Sequence, residues 1–322
     1  MKASRLYEEY QDGKIEKHLY WQMMRERLLP LLEIQAQLIN STKNISVEIT
    51  KDDIILNVDG VRFSFDFNQS ISRAETIVAL GGNPEQTDFD LLVSFLKDGD
   101  VVFDIGANVG VVSLMFVHDH PQIGAVYAFE PLPPTYARLQ HNLRLNGNPS
   151  KIIAENLGIS DKQGRFDFYL TGADEAASLI PNRDAYYLKE SVNGHFTGRE
   201  RFEKIPCRVT TLDEYVRQHP LKHIDLMKVD VEGNEKNVFR EGTSTIKTYQ
   251  PVIYCELLRK HAKRFGYHPN EVIALLADLG YQCFCHAGNR LLPFTVMTDE
   301  TVETNFFFLH TEKHRELIQR FH

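Results

Sequence analysis

The spacing of hydrophobic residues changes along this chain of 322 residues and separates its first part from the rest. Over residues 5–40, apolar side chains recur about every 3.6 positions, which predicts helices. Over residues 45–65 the period falls to two, and the pair Asp59-Gly60 predicts a tight turn between strands. We therefore predict that residues 1–74 form an N-terminal helical and β-hairpin extension.

From residue 86 onwards, strongly apolar runs alternate with amphipathic segments. Runs such as DVVFDIG and HIDLMKVDV are typical of parallel strands that helices cover on both faces. The segment PTYARLQHNLRLNG between them has a helical period, with proline near its start and Gly147 after its end. This alternation predicts an α/β fold with a parallel sheet for residues 75–322. Ligands of such sheets bind outside the carboxyl ends of the strands.

The segment FDIGANVG (residues 103–110) places two glycines between a predicted strand and a predicted helix. Glycine allows the backbone to approach a ligand closely, and the N-terminus of the helix presents free N–H groups. The loop therefore suits a nucleotide-like ligand. Asn108 stands where a dinucleotide fingerprint has its second glycine, so the frame matches loops that bind S-adenosylmethionine better than loops that bind NAD.

Glu130 lies at the end of the next predicted strand, in the segment AFEP. A carboxylate at this place can accept both hydrogen bonds of a ribose diol. NAD-binding proteins also use an acid there, so Glu130 indicates a ribosyl ligand rather than a methyl donor in particular. The alternative is an exposed acid at a strand end with no ligand.

Six segments resemble, in their order along the chain, the FkbM family of S-adenosylmethionine-dependent methyltransferases. The resemblance covers roughly residues 75–310. It implies a class I Rossmann-like methyltransferase with a mostly parallel seven-stranded sheet that ends in an antiparallel strand. The family's usual reaction is methylation of a hydroxyl on a sugar or natural product. The segments are FDIGANVG, FEPLPPTYARLQHNLRLNG, LGISD, TLDEYV, IDLMKVDVEGNEKNVFREG and PVIYCEL.

The resemblance also implies places for the donor. Asp104 and the loop residues Gly106, Asn108 and Gly110 are expected to hold the methionine part of S-adenosylmethionine, and Glu130 its ribose. The segment LGISD is expected beside the adenine, with Asp161 a candidate contact. Asp161 can equally begin the turn SDKQG, and the sequence leaves these two interpretations open.

Acids at two further strand ends are the candidates for chemistry at the methyl acceptor. Asp230 and Glu232 follow the fourth parallel strand, and Glu256 ends the fifth. We predict that Asp230 and Glu256 act there as a general base or as ligands of Mg²⁺ or another divalent cation. Glu232 and Glu235 have a structural alternative, because both can cap the helix NEKNVFREG at its N-terminus.

The 13 histidines are too numerous for each to be functional. His195 lies in the aromatic and polar segment YYLKESVNGHFTGRERF, which resembles a substrate lid inserted between two strands, and it is a candidate catalytic residue. His261 follows Glu256 closely and His286 follows a late strand. A surface or core position is the simpler interpretation for any one of the three.

Charge and composition exclude some classes of function. The net charge of −8 disfavours a nucleic-acid-binding surface. Neither a run of about 18 apolar residues nor the apolar core of a signal peptide is present. Four scattered cysteines are more typical of buried thiols than of a disulfide framework. We therefore expect a cytoplasmic protein without a transmembrane segment.

The function that these patterns favour is O-methylation of a sugar, glycan, or glycosylated or polyketide-type metabolite with S-adenosylmethionine as donor. One alternative is N-methylation of a protein side chain or a small amine, because the same scaffold accepts other nucleophiles. An alternative of another class is an NAD(P)-binding or non-catalytic Rossmann subunit. The N-terminal helices are a candidate contact for a homo-oligomer.

Overall fold

The strands of the computed structural model form three sheets. The structure describes residues 9–20, 22–23, 44–51, 53–65, 74, 77–78, 83–170, 179, 203–288 and 290–321. Most of the predicted helices over residues 5–40 lie outside these ranges, and so does His195. The strands are β1 (Ile45–Ile49), β2 (Ile54–Val58), β3 (Val61–Phe65), β4 (Val101–Ile105), β5 (Ala125–Phe129), β6 (Ile152–Glu155), β7 (Gly158–Ile159), β8 (Gly164–Leu170), β9 (Glu203–Thr210), β10 (Leu226–Val229), β11 (Val252–Glu256), β12 (Tyr281–Ala287), β13 (Arg290–Pro293) and β14 (Asn305–His310).

Helices follow most strands of the central sheet, as the alternating pattern predicts. Pro133 begins the helix after β5, where the missing N–H of proline removes no hydrogen bond. Thr211 caps another helix by accepting a hydrogen bond from Glu214 N. The helices are α1 (Gln86–Phe95), α2 (Val111–Asp119), α3 (Pro133–Leu145), α4 (Leu212–Gln218), α5 (Glu235–Arg240), α6 (Thr243–Tyr249), α7 (Arg259–Arg264), α8 (Asn270–Asp278) and α9 (Arg315–Phe321).

The central sheet has the order β13-β12-β14-β11-β10-β4-β5-β6. Strands β6, β5, β4, β10 and β11 are parallel to one another, and β14 pairs antiparallel with β11. This confirms the Rossmann-like sheet with a terminal antiparallel strand. It also adds an eighth strand, since β13 extends the expected seven-stranded sheet as an antiparallel edge. The segment KIIAENLGI forms two strands, because β6 joins the central sheet and β7 joins a small sheet with β8 and β9.

Alternating side chains of the central sheet pack on its two opposite faces. On β4, Val102 belongs to the hydrophobic cluster on one face, while Phe103 and Ile105 belong to the cluster on the other. Helix α2 and the β1–β3 sheet pack in the first cluster. Helices α4, α5 and α8 supply residues to the second. The helix-covered faces explain why the strands are apolar on both sides.

The N-terminal β-sheet packs on the Rossmann-like part through buried polar contacts as well as apolar ones. Asp59 and Gly60 both have positive φ at the β2–β3 turn, which confirms the predicted hairpin. Asn142 of α3 is fully buried, accepts hydrogen bonds from Ser64 and donates one to Val109 O in the loop after β4. The domain boundary at residues 74 and 75 stays a prediction, although the two parts share one hydrophobic cluster.

Candidate active site

A cleft of about 320 Å³ opens at the carboxyl ends of four neighbouring strands, β5, β4, β10 and β11. This is the place at which open α/β sheets bind ligands, and the volume is in the range of small-molecule sites. Gly106, Asn108, Glu130, Glu232 and Glu256 line it. The structure therefore brings together residues from the two halves of the site predicted from sequence, the donor loop and the acids beyond it.

The loop between β4 and α2 is held mainly by the end of β5. Gly106 N and Ala107 N both donate to the carbonyl oxygen of Phe129, at 3.0 and 2.9 Å. Asn108 N donates to Glu130 Oε2 at 3.0 Å, and Asn108 itself has a φ of +51°, which asparagine tolerates better than most residues. These three N–H groups of the loop are thus already bonded within the protein.

Gly106 is required by the neighbouring strand β10. Its φ is +85°, and a Cβ atom at this position would lie 1.8 Å from the carbonyl oxygen of Asp230. The close approach expected between the loop and a ligand is therefore, at Gly106, an approach between two parts of the chain. Gly110 also has positive φ, but it is the N-cap of α2 and is not among the described residues that line the cleft.

Glu130 is buried, with 6% of its surface exposed, and its carboxylate joins two backbone segments. One oxygen accepts from Asn108 N and the other from Leu132 N, at 3.0 and 2.9 Å. Burial raises the pKa of Glu130 to about 7, although the two N–H donors act in the opposite direction. Each carboxylate oxygen can accept a second hydrogen bond, so the predicted contact with a ribose diol is compatible with this geometry and stays a prediction.

Asp104 lies beneath the cleft and is not among the described residues that line it. It is fully buried; Oδ2 accepts from Ser113 Oγ at 2.6 Å, and Oδ1 lies 3.4 Å from Lys228 Nζ. Direct contact with the methionine part of the donor, which the resemblance implies, stays a prediction. Within the chain, the carboxylate of Asp104 stabilises the ammonium group of Lys228 and, through Ser113, the start of α2.

Lys228 is the residue of the cleft that the sequence analysis missed. It belongs to β10, is 4% exposed and lines the cleft. Its Nζ lies 3.3 Å from Asp230 Oδ2 and 3.4 Å from Gly106 O, as well as near Asp104. The available signal was a lysine inside the apolar run LMKVD, because a buried ammonium group needs carboxylate partners.

Asp161 occupies the turn between β7 and β8 and lies away from the described lining of the cleft. Its Oδ2 is 3.8 Å from a guanidinium nitrogen of Arg240, and its Oδ1 accepts from Ser160 Oγ. The structure thus places Asp161 in the turn that one interpretation expects, and its contact with adenine stays a prediction. The apolar lining of the cleft includes Ile159, Leu132 and Phe168.

The acidic side of the cleft lies at the ends of β10 and β11, on the side away from the loop after β4. Its lining includes Asp230, Glu232 and Glu256. Asp230 lies beside Lys228 Nζ, and its side chain is 24% exposed. Glu256 ends β11 in a more buried position. Burial, and then repulsion from Asp230 and Glu232, raises the pKa of Glu256 to about 9. Three carboxyl groups thus meet on this side of the cleft, and Glu256 holds its proton near neutral pH unless a cation beside it favours the ionised form.

The turn after β10 directs Glu232 towards α7. Glu232 and Gly233 have φ values of +56° and +103°, and a Cβ atom on Gly233 would lie 2.6 Å from His261 O. Glu235 holds this turn by accepting from Gly233 N and from the Tyr267 hydroxyl. The structural interpretation of Glu235 is thus supported, whereas Glu232 lines the cleft.

One carboxylate oxygen each of Glu232 and Glu256 and one ring nitrogen of His261 lie within 4.8 Å of one another. The predicted metal pair, Asp230 with Glu256, does not form this group, because the carboxylate of Asp230 is beside the ammonium of Lys228. His286, by contrast, has its Nδ1 bonded to Asp88 at 2.8 Å and is explained by that contact.

The profile of the "Methyltransferase FkbM domain" matches residues 104–283. Methyltransferase sdnD of Sordaria araneosa is 32% identical over 168 residues, 48% of this chain and 64% of that protein. The 31-O-demethyl-FK506 methyltransferase FkbM of Streptomyces tacrolimicus is 31% identical over 160 residues, 44% of this chain and 59% of that protein. The hexuronic acid methyltransferase AglP of Haloferax volcanii is 27% identical over 228 residues, 71% of this chain and 81% of that protein.

The matched part of the chain thus spans less than two thirds of the length of the first two relatives. Among the residues described by the structure, none of the helices combines the length and hydrophobicity that crossing a bilayer requires.

Proposed function

Because the chain belongs to the FkbM family of methyltransferases, we propose that it transfers a methyl group from S-adenosylmethionine to a hydroxyl group of a saccharide or polyketide-type metabolite. The observation that carries this proposal is the cleft, which has a nucleotide-compatible wall on the β4–β5 side and a carboxylate-rich wall on the β10–β11 side. The first side suits a donor with a ribose and the second a hydroxyl that must lose a proton.

The residues present fit the donor. Glu130 offers carboxylate lone pairs at the end of β5, and Ile159, Leu132 and Phe168 offer an apolar surface for a base. The carboxylate of Asp230, which also lines the cleft, suits the positive charge of a sulfonium better than an apolar wall does. When bound, S-adenosylmethionine supplies an electrophilic methyl group.

In this proposal, residues of the chain position the acceptor hydroxyl and place charged groups beside it. Holding an acceptor oxygen in line with a methyl group lowers the barrier by several kcal/mol in favourable cases. Asp230 is the group that we propose to orient the acceptor hydroxyl and to take up its proton, since it lines the cleft and is partly exposed. Lys228 Nζ lies 3.3 Å from Asp230 Oδ2 and holds that carboxylate in position.

The names of two relatives support the acceptor class. AglP is called a hexuronic acid methyltransferase, and FkbM a methyltransferase of 31-O-demethyl-FK506. One name denotes a sugar acid, and the other an acceptor whose methyl group is carried by an oxygen atom. The alternative of N-methylation is an outcome of the same assay, because an amine acceptor would be methylated and a hydroxyl acceptor would not.

The experiment is a transfer assay with isotopically labelled S-adenosylmethionine over a panel of glycosides, uronic acids, macrocyclic alcohols and amines. We expect labelled product from a hydroxyl acceptor, and Asp230→Asn is expected to keep its affinity for S-adenosylhomocysteine while turnover falls roughly 100-fold or more. The matched control is Asp167→Asn on β8, whose side chain is 49% exposed and which does not line the cleft. Binding of NADH but not of S-adenosylhomocysteine would overturn the proposal.

A further inference from the structure

The acidic side of the cleft contains three potential ligand atoms to which the proposed transfer assigns no role. They are a carboxylate oxygen of Glu232, a carboxylate oxygen of Glu256 and a ring nitrogen of His261, all within 4.8 Å of one another. Three different elements supply them, namely the turn after β10, the end of β11 and helix α7. Their meeting therefore depends on the tertiary structure and not on one local motif.

Two of these atoms are buried without a hydrogen bond. His261 is 8% exposed, and its Nδ1 lies 2.9 Å from Glu232 Oε2. Neither atom has a hydrogen-bond partner among the described residues. Since 2.9 Å is an ordinary hydrogen-bond distance, it is the direction of the ring N–H that misses the oxygen. Buried polar atoms in folded proteins are nearly always satisfied, so the pair lacks a third partner.

A metal ion between the ligands accounts for both observations. Adjacent nitrogen and oxygen ligands of a divalent ion, bound at about 2.0–2.2 Å, lie roughly 2.8–3.6 Å from one another, and the observed 2.9 Å falls within this range. The side chain of Glu232 is 25% exposed and has room to bring its oxygen closer to that of Glu256. A cation would also offset the negative charge of two neighbouring carboxylates.

We propose that Glu232, Glu256 and His261 form a binding site for one divalent metal ion such as Zn²⁺ or Mn²⁺. Imidazole suits Zn²⁺ and related transition metals, while carboxylates suit Mn²⁺ and Mg²⁺. A ligand set with one nitrogen and two oxygens therefore favours ions that accept both types over Mg²⁺. This set differs from the oxygen-only pair of Asp230 and Glu256 predicted from the sequence.

The position of the site gives the ion an open side. Glu232 and Glu256 line the cleft, and His261 approaches from behind them on α7. Metal sites with three protein ligands keep further coordination positions for water or substrate. Here those positions face the cleft, where hydroxyl oxygens of an acceptor can coordinate and become more acidic. That role rests on the proposed function, whereas binding of the ion does not.

The test measures metal binding to the full chain without donor or acceptor. Protein freed of metals with a chelator is titrated with Zn²⁺, Mn²⁺ and Mg²⁺ in separate calorimetric experiments. We expect one tight site per chain for Zn²⁺ or Mn²⁺ and weaker binding of Mg²⁺. His261→Phe and Glu232→Gln are expected to lower the affinity at least about 100-fold, because loss of second-shell support alone lowers it 10- to 100-fold.

His268→Phe is the matched control, since His268 is an exposed histidine seven positions further along the chain and is not in the group. It is expected to leave the tight site unchanged. Absence of a tight site, equal affinity in the parent and Glu232→Gln, or Mg²⁺ bound as tightly as Zn²⁺ and Mn²⁺ would each overturn the proposal. If His261→Phe fails to fold, Glu232→Gln decides alone, because its side chain is partly exposed.

Titration with S-adenosylhomocysteine separates this inference from the proposed function. A parent protein that binds the metal but not S-adenosylhomocysteine supports the metal site and contradicts the donor. A parent protein that binds S-adenosylhomocysteine but no metal does the reverse. Variants that lose the metal and keep S-adenosylhomocysteine support both.

Discussion

The loop after β4 and the acids after β10 and β11 border the same cleft, but their polar groups are used differently. In the loop, Gly106 N, Ala107 N and Asn108 N are all bonded to β5 or to Glu130. On the acidic side, atoms of Glu232 and His261 are buried without a hydrogen bond. The loop is therefore organised by the protein itself, whereas the acidic side keeps buried polar atoms without a hydrogen bond, as our proposal of a metal site requires.

This difference shows that a sequence motif can mark a site for reasons of packing. The glycine that attracts attention in FDIGANVG is needed at residue 106 because Asp230 O occupies the space of a side chain. The buried atoms without a hydrogen bond on the acidic side belong instead to Glu232 and His261, which are separated in the sequence and meet only in the folded chain. The following predictions test the contrast, from the largest expected effect to the smallest.

Gly106→Ala is expected to prevent stable folding. A Cβ atom would lie 1.8 Å from Asp230 O, on backbone that cannot move without displacing β10. We expect the free energy of unfolding to fall by more than about 4 kcal/mol, a range reached only by exceptional substitutions. Urea denaturation of the purified variant measures it.

The control for this prediction is Gly147→Ala. Gly147 has a similar φ of +77°, but a Cβ atom there meets nothing within 4 Å. Only the cost of the left-handed conformation remains, about 1–2 kcal/mol. Equal stability of the two variants would show that Gly106 serves the ligand and not the packing of β10.

Lys228→Met is expected to destabilise the protein by about 3–5 kcal/mol, the range for breaking a buried ion pair from one side. It leaves Asp104, which is fully buried, without the ammonium group 3.4 Å away. Thermal or urea unfolding measures the effect. Lys204→Met, at an exposed position of β9, is the control and is expected to change stability by less than about 1 kcal/mol.

A second substitution sharpens the test of Lys228. Adding Asp104→Asn to Lys228→Met removes the uncompensated charge, so the double variant is expected to be more stable than Lys228→Met alone. Strict additivity of the two changes would mean that the two side chains do not interact across the boundary between the loop and the acidic side.

Glu130→Ala is expected to weaken binding of S-adenosylhomocysteine by about 1–3 kcal/mol, the range for hydrogen bonds to a charged group. The loss has two sources, the predicted ribose contact and the support that Glu130 gives to Asn108 N and Leu132 N. Calorimetry measures the affinity, and Glu155→Ala at the end of the neighbouring strand is the control, because it does not line the cleft. Unchanged affinity in a folded Glu130→Ala protein would remove Glu130 from the donor site.

The affinity for S-adenosylhomocysteine is expected to rise up to about tenfold between pH 6 and pH 8, as the ionised fraction of a group with pKa near 7 increases. Burial raises the pKa of Glu130 to about 7, with Asp104 raising it further and Lys228 lowering it. Only the ionised carboxylate is a full acceptor for a ribose diol, so ionisation strengthens binding. A Glu130→Gln protein is expected to show a flatter profile in the same titration, and an identical slope would assign the pH dependence to another group.

The stability of the protein is expected to change with pH in the opposite direction. An acid whose pKa is raised by folding stabilises the folded state below its unfolded pKa of 4.5, and this contribution is lost as the pH rises through about 7. Comparing urea unfolding of the parent and Glu130→Gln at pH 5 and pH 8 measures the contribution. The difference between the two proteins is expected to favour the parent more at pH 5.

The sequence by itself determined the fold class, the strand-end loop, the acid after β5 and the acids after β10 and β11. Hydrophobic periodicity is local and strong, and parallel strands bring their carboxyl ends to one edge. The position of Glu130, Asp230, Glu232 and Glu256 on one cleft follows from those two facts.

Only the tertiary structure decided which of these groups meet. Three contacts join elements that are separated in the chain. Lys228 lies beside Asp104, Asp161 pairs with Arg240, and Glu232 meets Glu256 and His261. Periodicity predicts the face on which a side chain lies, but a contact depends on the register of strands and the docking of a helix to within about an ångström. Those quantities are set by the packing of the two large hydrophobic clusters, to which most of the described elements contribute.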